Sequence, residues 1–192
     1  MNQLWWYTAR SAGLVSAALL AASVIWGLAL STAPRGARPR PAWRLDLHRY
    51  LGGLSVIFVA VHVLAIMADS YIGFGWVQVL VPFTSTWRPW AIAFGVVALY
   101  LLVAVELTSL ARQRLPRPLW RRLHFLSFPL LVVAEMHLFM AGTDAGSRPV
   151  LGTAVAVNVV IAVLTASRVM QAREAANTRR DVPLVSARSS NV

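Results

Sequence analysis

An all-α membrane bundle with five transmembrane helices is the fold this sequence predicts, and three observations predict it. Of the 192 residues, 58% are hydrophobic, against a little under half in an ordinary soluble domain. Five apolar stretches are each long enough to cross about 30 Å of hydrocarbon at about 1.5 Å of rise per residue, allowing for their flanks. The few charged residues, 13% of the chain, gather between those stretches. Residues 1–169 therefore read as a membrane domain, and residues 170–192 as a polar cytoplasmic tail, disordered past about Asp181.

The first span is Ser11–Leu30. Its apolar run is too long for a signal peptide, and its basic flank follows the run instead of preceding it, so it reads as a retained helix. Tyr50–Met67 is the second span and Trp90–Leu110 the third. Between them, Phe74–Phe83 is apolar but too short to cross. Gly73, Gly75 and Pro82 break it, and Trp76 and Trp87 suit an interface, so it is expected to lie along the outer face as a lid. The fourth span is Leu123–Phe139, with Pro129 inside it, and the fifth is Val150–Val169.

Flanking charge sets the orientation. All eighteen basic residues are arginine. Five follow the first span (Arg35, Arg38, Arg40, Arg44, Arg49), five follow the third (Arg112, Arg114, Arg117, Arg121, Arg122) and five follow the fifth (Arg168, Arg173, Arg179, Arg180, Arg188). The other three segments hold one each: Arg10, Arg88 and Arg148. The positive-inside rule then puts the N-terminus outside and the C-terminus in the cytoplasm. The same placement accounts for the net charge of +11 without nucleic acid as a partner. The chain has no cysteine, which excludes disulfides, iron–sulfur clusters and thiolate-bound zinc.

The four histidines fall into two pairs, His48 with His62 and His124 with His137, fourteen and thirteen residues apart. Each pair spans about 20 Å of helix, so each of two helices carries one histidine near either face of the membrane. His48 and His124 form an inner level, and His62 and His137 an outer one. Two imidazoles facing each other across a ring are what a six-coordinate b-type haem requires. Fourteen residues return to within about 40° of the same helix face, whereas thirteen miss it by about 140°. Pro129 lies between His124 and His137, so an irregularity near Phe125–Pro129 is expected to restore the facing.

Other residues bear on the same site. Gly52 and Gly53, one turn after His48, either admit a porphyrin face or simply pack helices. Arg44, Arg49, Arg121 and Arg122 surround the inner level and Arg88 approaches the outer one, as haem propionates would want, though topology also accounts for them. Trp43-Arg44 before His48 is echoed by Trp120-Arg121 before His124. Glu106 and Glu135 are intramembrane acids, costly enough to suggest a function, either proton relay or structural pairing.

Leu47-His48-Arg49-Tyr50 followed by His62, and Trp120-Arg121-Arg122-Leu123-His124 followed by His137, resemble the ferric reductase-like transmembrane domain family. That family includes ferric reductases, the membrane part of NADPH oxidases and the haem-binding subunit of bacterial methionine sulfoxide reductase systems. The run Leu138–Ala145 also looks like bacterial members, and the resemblance covers roughly Trp5 to Val169. It implies two stacked b haems, with His48 and His124 binding the inner iron and His62 and His137 the outer. It implies a multi-pass protein of a bacterial-type plasma membrane, surrounded by lipid bilayer, that passes electrons as a subunit of an oxidoreductase.

The large eukaryotic members have six membrane helices, where five are expected here. No flavin- or nicotinamide-binding domain is expected after the fifth helix, and no G-x-G-x-x-G motif follows a strand. Electrons are therefore expected from a partner flavoprotein reductase, a quinol or a soluble redox carrier. A proton or ion transporter using Glu106, Glu135 and the histidines, and a haem-free scaffold retaining the fold, are the alternatives.

Overall fold

The computed structural model describes residues 3–32, 41–70 and 73–181. Arg35, Arg38 and Arg40, and the tail beyond Asp181, lie outside the described residues. Among the described residues seven helices follow one another: α1 (Gln3–Thr32), α2 (Trp43–Ala68), α3 (Trp76–Leu80), α4 (Pro89–Leu110), α5 (Arg117–His124), α6 (Ser127–Ala141) and α7 (Arg148–Asp181). Five spans are long and apolar enough to cross a membrane: α1, α2, α4, α5 with α6, and α7. These match the five expected from the sequence, and the chain is a multi-pass membrane protein.

The bundle is two helix pairs facing each other. α1 packs along α2, α4 packs along α6, and α7 lies outside against α1. Ala21, Val24 and Leu28 of α1 and Leu131 of α6 are buried together, with Phe128, Val157, Ile161 and Leu164 closing around them. Small side chains dominate the buried positions of α1 (Ala9, Ala12, Ser16, Ala21, Ser23). Close backbone approach drives helix association in lipid, where apolar surface alone gains little by pairing.

The expected irregularity in the fourth span is present. α5 ends at His124, Phe125 and Leu126 form a turn, and α6 starts at Ser127. Leu126 N donates to Leu123 O at 3.0 Å and Phe128 N to Phe125 O at 3.2 Å, both three-residue bonds of the tighter 3₁₀ type. Pro129 has no N–H to give Phe125 O, and Phe128 takes that acceptor instead. With α6 restarting at Ser127, the proline falls in the first turn, where a missing donor costs nothing.

The segment between α2 and α4 carries the short helix α3. Gly75 N donates to Gln78 Oε1 at 3.0 Å, and Tyr100 of α4 donates its hydroxyl to Leu80 O. Phe83 (φ 67°) and Arg88 (φ 43°) adopt left-handed backbone, which costs a residue bearing a Cβ. Phe83 is held there by its ring, edge-on to Trp90 with centroids 4.9 Å apart. The Arg88 guanidinium donates to Met140 O at 2.6 Å and lies 5.1 Å from the Trp87 ring. At the same end, Arg10 of α1 forms an ion pair with Asp144 in the α6–α7 connection, its Nε 3.0 Å from Oδ2.

Candidate functional site

Two histidine levels form between the helix pairs. The His48 and His124 ring centroids are 5.9 Å apart, and those of His62 and His137 are 6.3 Å apart. Both pairs cross at 81° between ring planes. The break at Phe125–Leu126 therefore does what helical phase required, and all four sequence-predicted histidines meet their expected partners.

Each ring is held through Nδ1. His62 Nδ1–H donates to Ala9 O at 2.7 Å, and His137 Nδ1–H to Ala91 O at 2.8 Å. His48 Nδ1 lies 3.1 Å from Ser23 O and 3.3 Å from Ser23 Oγ. His124 Nδ1 lies 3.3 Å from Ser109 Oγ. A carbonyl partner on Nδ1 fixes the tautomer, so that Nε2 keeps its lone pair for a metal.

Those carbonyls already serve their own helices, and a helical side chain normally covers the turn before it. Glycine removes that cover. Gly13 lies four residues after Ala9, Gly27 four after Ser23 and Gly95 four after Ala91. A Cβ on Gly13 would come 2.9 Å from His62 Nδ1, one on Gly95 would come 2.7 Å from His137 Nδ1, and one on Gly27 would come 3.1 Å from His48 Cε1. At the fourth position Ser109, fourteen residues after Gly95, supplies its own hydroxyl.

Sequence reasoning missed these supporting residues and chose Gly52 and Gly53 instead. Gly52 faces Glu106, whose Oε1 would lie 2.6 Å from an added Cβ, and nothing lies within 4 Å at Gly53. The signal that would have found the right glycines is their spacing, since Gly13 and Gly27 repeat the fourteen-residue interval of His48 and His62.

A cavity surrounds the His62–His137 level. Gly13, Gly95, Phe74, Gln78, Trp87 and Asp144 are among the residues that line it. At the other level, Trp120 stacks on His124 with centroids 5.2 Å apart and planes at 20°. Its Nε1–H is buried without an acceptor. Trp43, its counterpart in the sequence echo, packs instead on Trp26, with centroids 6.1 Å apart. Arg49 pairs with Asp46 at 3.3 Å.

No group of three or more His, Cys, Asp or Glu side chains gathers among the described residues. Each level offers two imidazoles and nothing further from the protein, a donor set that lacks the equatorial ligands a macrocycle brings. A family model, described as ferric reductase like transmembrane component, matches residues 12–134. The chain belongs to this family. The match includes His48, His62 and His124 and stops three residues before His137. Ferric reductase-like domains generally bind haem, and membership points to electron transfer within the membrane. No curated protein and no solved structure matches the chain.

Proposed function

We propose that the chain conducts electrons across the membrane through two b-type haems, one between His48 and His124 and one between His62 and His137. The observation that carries this reading is the pair of facing imidazoles at each level, each level with an anchored Nδ1 on both rings. Imidazole–metal bonds of about 2.0–2.1 Å on both sides of one ion put ring centroids roughly 6 Å apart. The observed 5.9 and 6.3 Å fit a shared iron between each pair. Trp120 Nε1–H, buried and lacking an acceptor, suits a propionate at the first level.

When bound, haem would supply a one-electron couple, held by His48 and His124 at one level and by His62 and His137 at the other. The residues of this chain orient the four rings through Nδ1, and the carbonyls of Ser23, Ala9 and Ala91 leave Nε2 of His48, His62 and His137 with its lone pair. Arginine flanks support a cytoplasmic His48–His124 level. A flavoprotein reductase, a quinol or a soluble carrier would then be the donor at that level, and an acceptor on the other side would be served by the His62–His137 level. The chain would serve as the membrane subunit of a reductase system in the plasma membrane of a bacterial-type cell.

The transporter reading gains no support from the two acids. Glu106 faces Gly52 on α2, while Glu135 is engaged by Asn158 of α7, so they do not line one path.

A reduced-minus-oxidised spectrum of protein purified after expression with ample haem tests the proposal. It should show sharp b-type bands and about two haems per chain. His48→Ala or His124→Ala should remove one haem, and His62→Ala or His137→Ala the other. Colourless protein from haem-replete cells would refute it.

A further inference from the structure

Glu135 serves neither histidine level. It lies two residues before His137 on α6 but on another face, where Asn158 of α7 donates Nδ2 to both carboxylate oxygens at 3.0 and 3.1 Å. The same nitrogen is 2.9 Å from Ala154 O in its own helix. The two amide protons are therefore divided among three acceptors. A carboxylate has room for about four donors, so acceptor capacity is left over.

This pair sits inside the membrane, about 3 Å along α6 from the His137 level, and at the surface of the bundle. Asn158 lies ten residues into α7, about 15 Å from its start, and Glu135 six residues before the end of α6, about 9 Å from it, both within a hydrocarbon layer of about 30 Å. Asn158 is exposed. So are four of the eight neighbours of the pair at three- and four-residue spacing, Val155 and Ala162 on α7 and Val132 and Phe139 on α6. Lipid tails offer no donors, and ionisable side chains at this depth face protein or water-filled cavities.

Among the described residues, no cation pairs with Glu135. The arginines nearest along α7 are Arg148 and Arg168, each ten residues or about 15 Å from Asn158. His62 and His137 are engaged inside the bundle. A second copy on the same seam would bring another Glu135 and an Asn158 already in use.

We infer that the α6–α7 seam docks a transmembrane helix of a different subunit, one carrying a basic side chain within the membrane at the depth of Glu135. That side chain completes the Glu135 carboxylate, and Val132, Phe139, Val155 and Ala162 form the apolar shoulders of the contact. The recognition is of charge in a low-dielectric layer, where each ion is costly alone and stabilised by its partner.

The test uses the full chain in phosphatidylcholine nanodiscs, labelled for energy transfer to a Leu–Ala transmembrane peptide of about twenty residues. One peptide carries a central arginine, and its control carries leucine there. The arginine peptide should bind about tenfold tighter than the control. Glu135→Gln should abolish that preference. Ala162→Trp, which keeps the carboxylate and fills a shoulder, should weaken the arginine peptide by about the same factor while the helical circular dichroism is unchanged, so the proposal stays testable if Glu135→Gln misfolds. Equal binding of the two peptides overturns it, as does a preference that survives both substitutions. Self-association that depends on Glu135 without any preference for the arginine peptide also overturns it, since the occupant would then be a second copy.

Discussion

Three of the four histidine rings depend on an atom that another helix would ordinarily hide. Gly13, Gly27 and Gly95 leave the carbonyls of Ala9, Ser23 and Ala91 open to an imidazole Nδ1, and the rings occupy the space a side chain would fill. The three positions differ in tightness, so their alanine variants should differ in effect. Gly95→Ala and Gly13→Ala bring a Cβ within 2.7 and 2.9 Å of Nδ1, and the anchored rings have little room to retreat. Each should lose the proposed His62–His137 haem and keep the other, read as a fall from about two haems per chain to about one in a pyridine haemochrome assay. Gly27→Ala, at 3.1 Å, should lose less of the His48–His124 haem. Gly52→Ala meets only the mobile end of Glu106, so it should keep both haems and cost about 1 kcal/mol or less, checked by the same assay and a thermal melt. Equal haem loss in Gly52→Ala and Gly95→Ala would return the role to the glycines beside His48.

Among the elements, the α5–α6 break was the most demanding expectation and the most legible. A thirteen-residue histidine spacing cannot face one partner helix twice without an irregularity, and Pro129 marked where it had to fall. Apolar length was likewise enough to place the five spans, because hydrocarbon thickness and backbone saturation leave few other solutions. The glycine–carbonyl seats were not legible, because they belong to the helix opposite each histidine and their meaning depends on which helices pair. Glu135–Asn158 was hidden for the same reason, since twenty-three residues separate the two in sequence. Pro129→Ala restores an N–H that competes with Phe128 for Phe125 O and lets α5 and α6 run on as one helix. The variant should lose occupancy at the His62–His137 level selectively. The visible spectrum of the remaining His48–His124 haem should be unchanged, and a full complement of haem would show that the break does not depend on the proline.

For the molecule as a whole, orientation is the property that assigns direction to any electron flow. The chain has no native cysteine, so single cysteines report their side of the membrane without background. Arg114→Cys, in the α4–α5 connection, should react with a membrane-impermeant maleimide only after cells are opened. Ser147→Cys, in the α6–α7 connection, should react in intact cells. The reverse pattern would invert the proposed polarity. The fourteen-residue interval shared by His48 and His62, Gly13 and Gly27, and Gly95 and Ser109 has a further meaning at this scale. Fourteen residues are two heptads, and helices keeping one face together over that repeat wind slowly around each other in a left-handed sense. The separation between the two levels can then change only in heptad steps. One residue inserted into α2 between His48 and His62 would turn one histidine about 100° away from its seat. Seven residues inserted at matching heights into all four site-bearing spans would preserve both seats and move the levels about 10 Å further apart. The bundle thus works as a ruler graduated in heptads, and the α5–α6 break supplies the fraction of a turn by which one span falls short of a graduation.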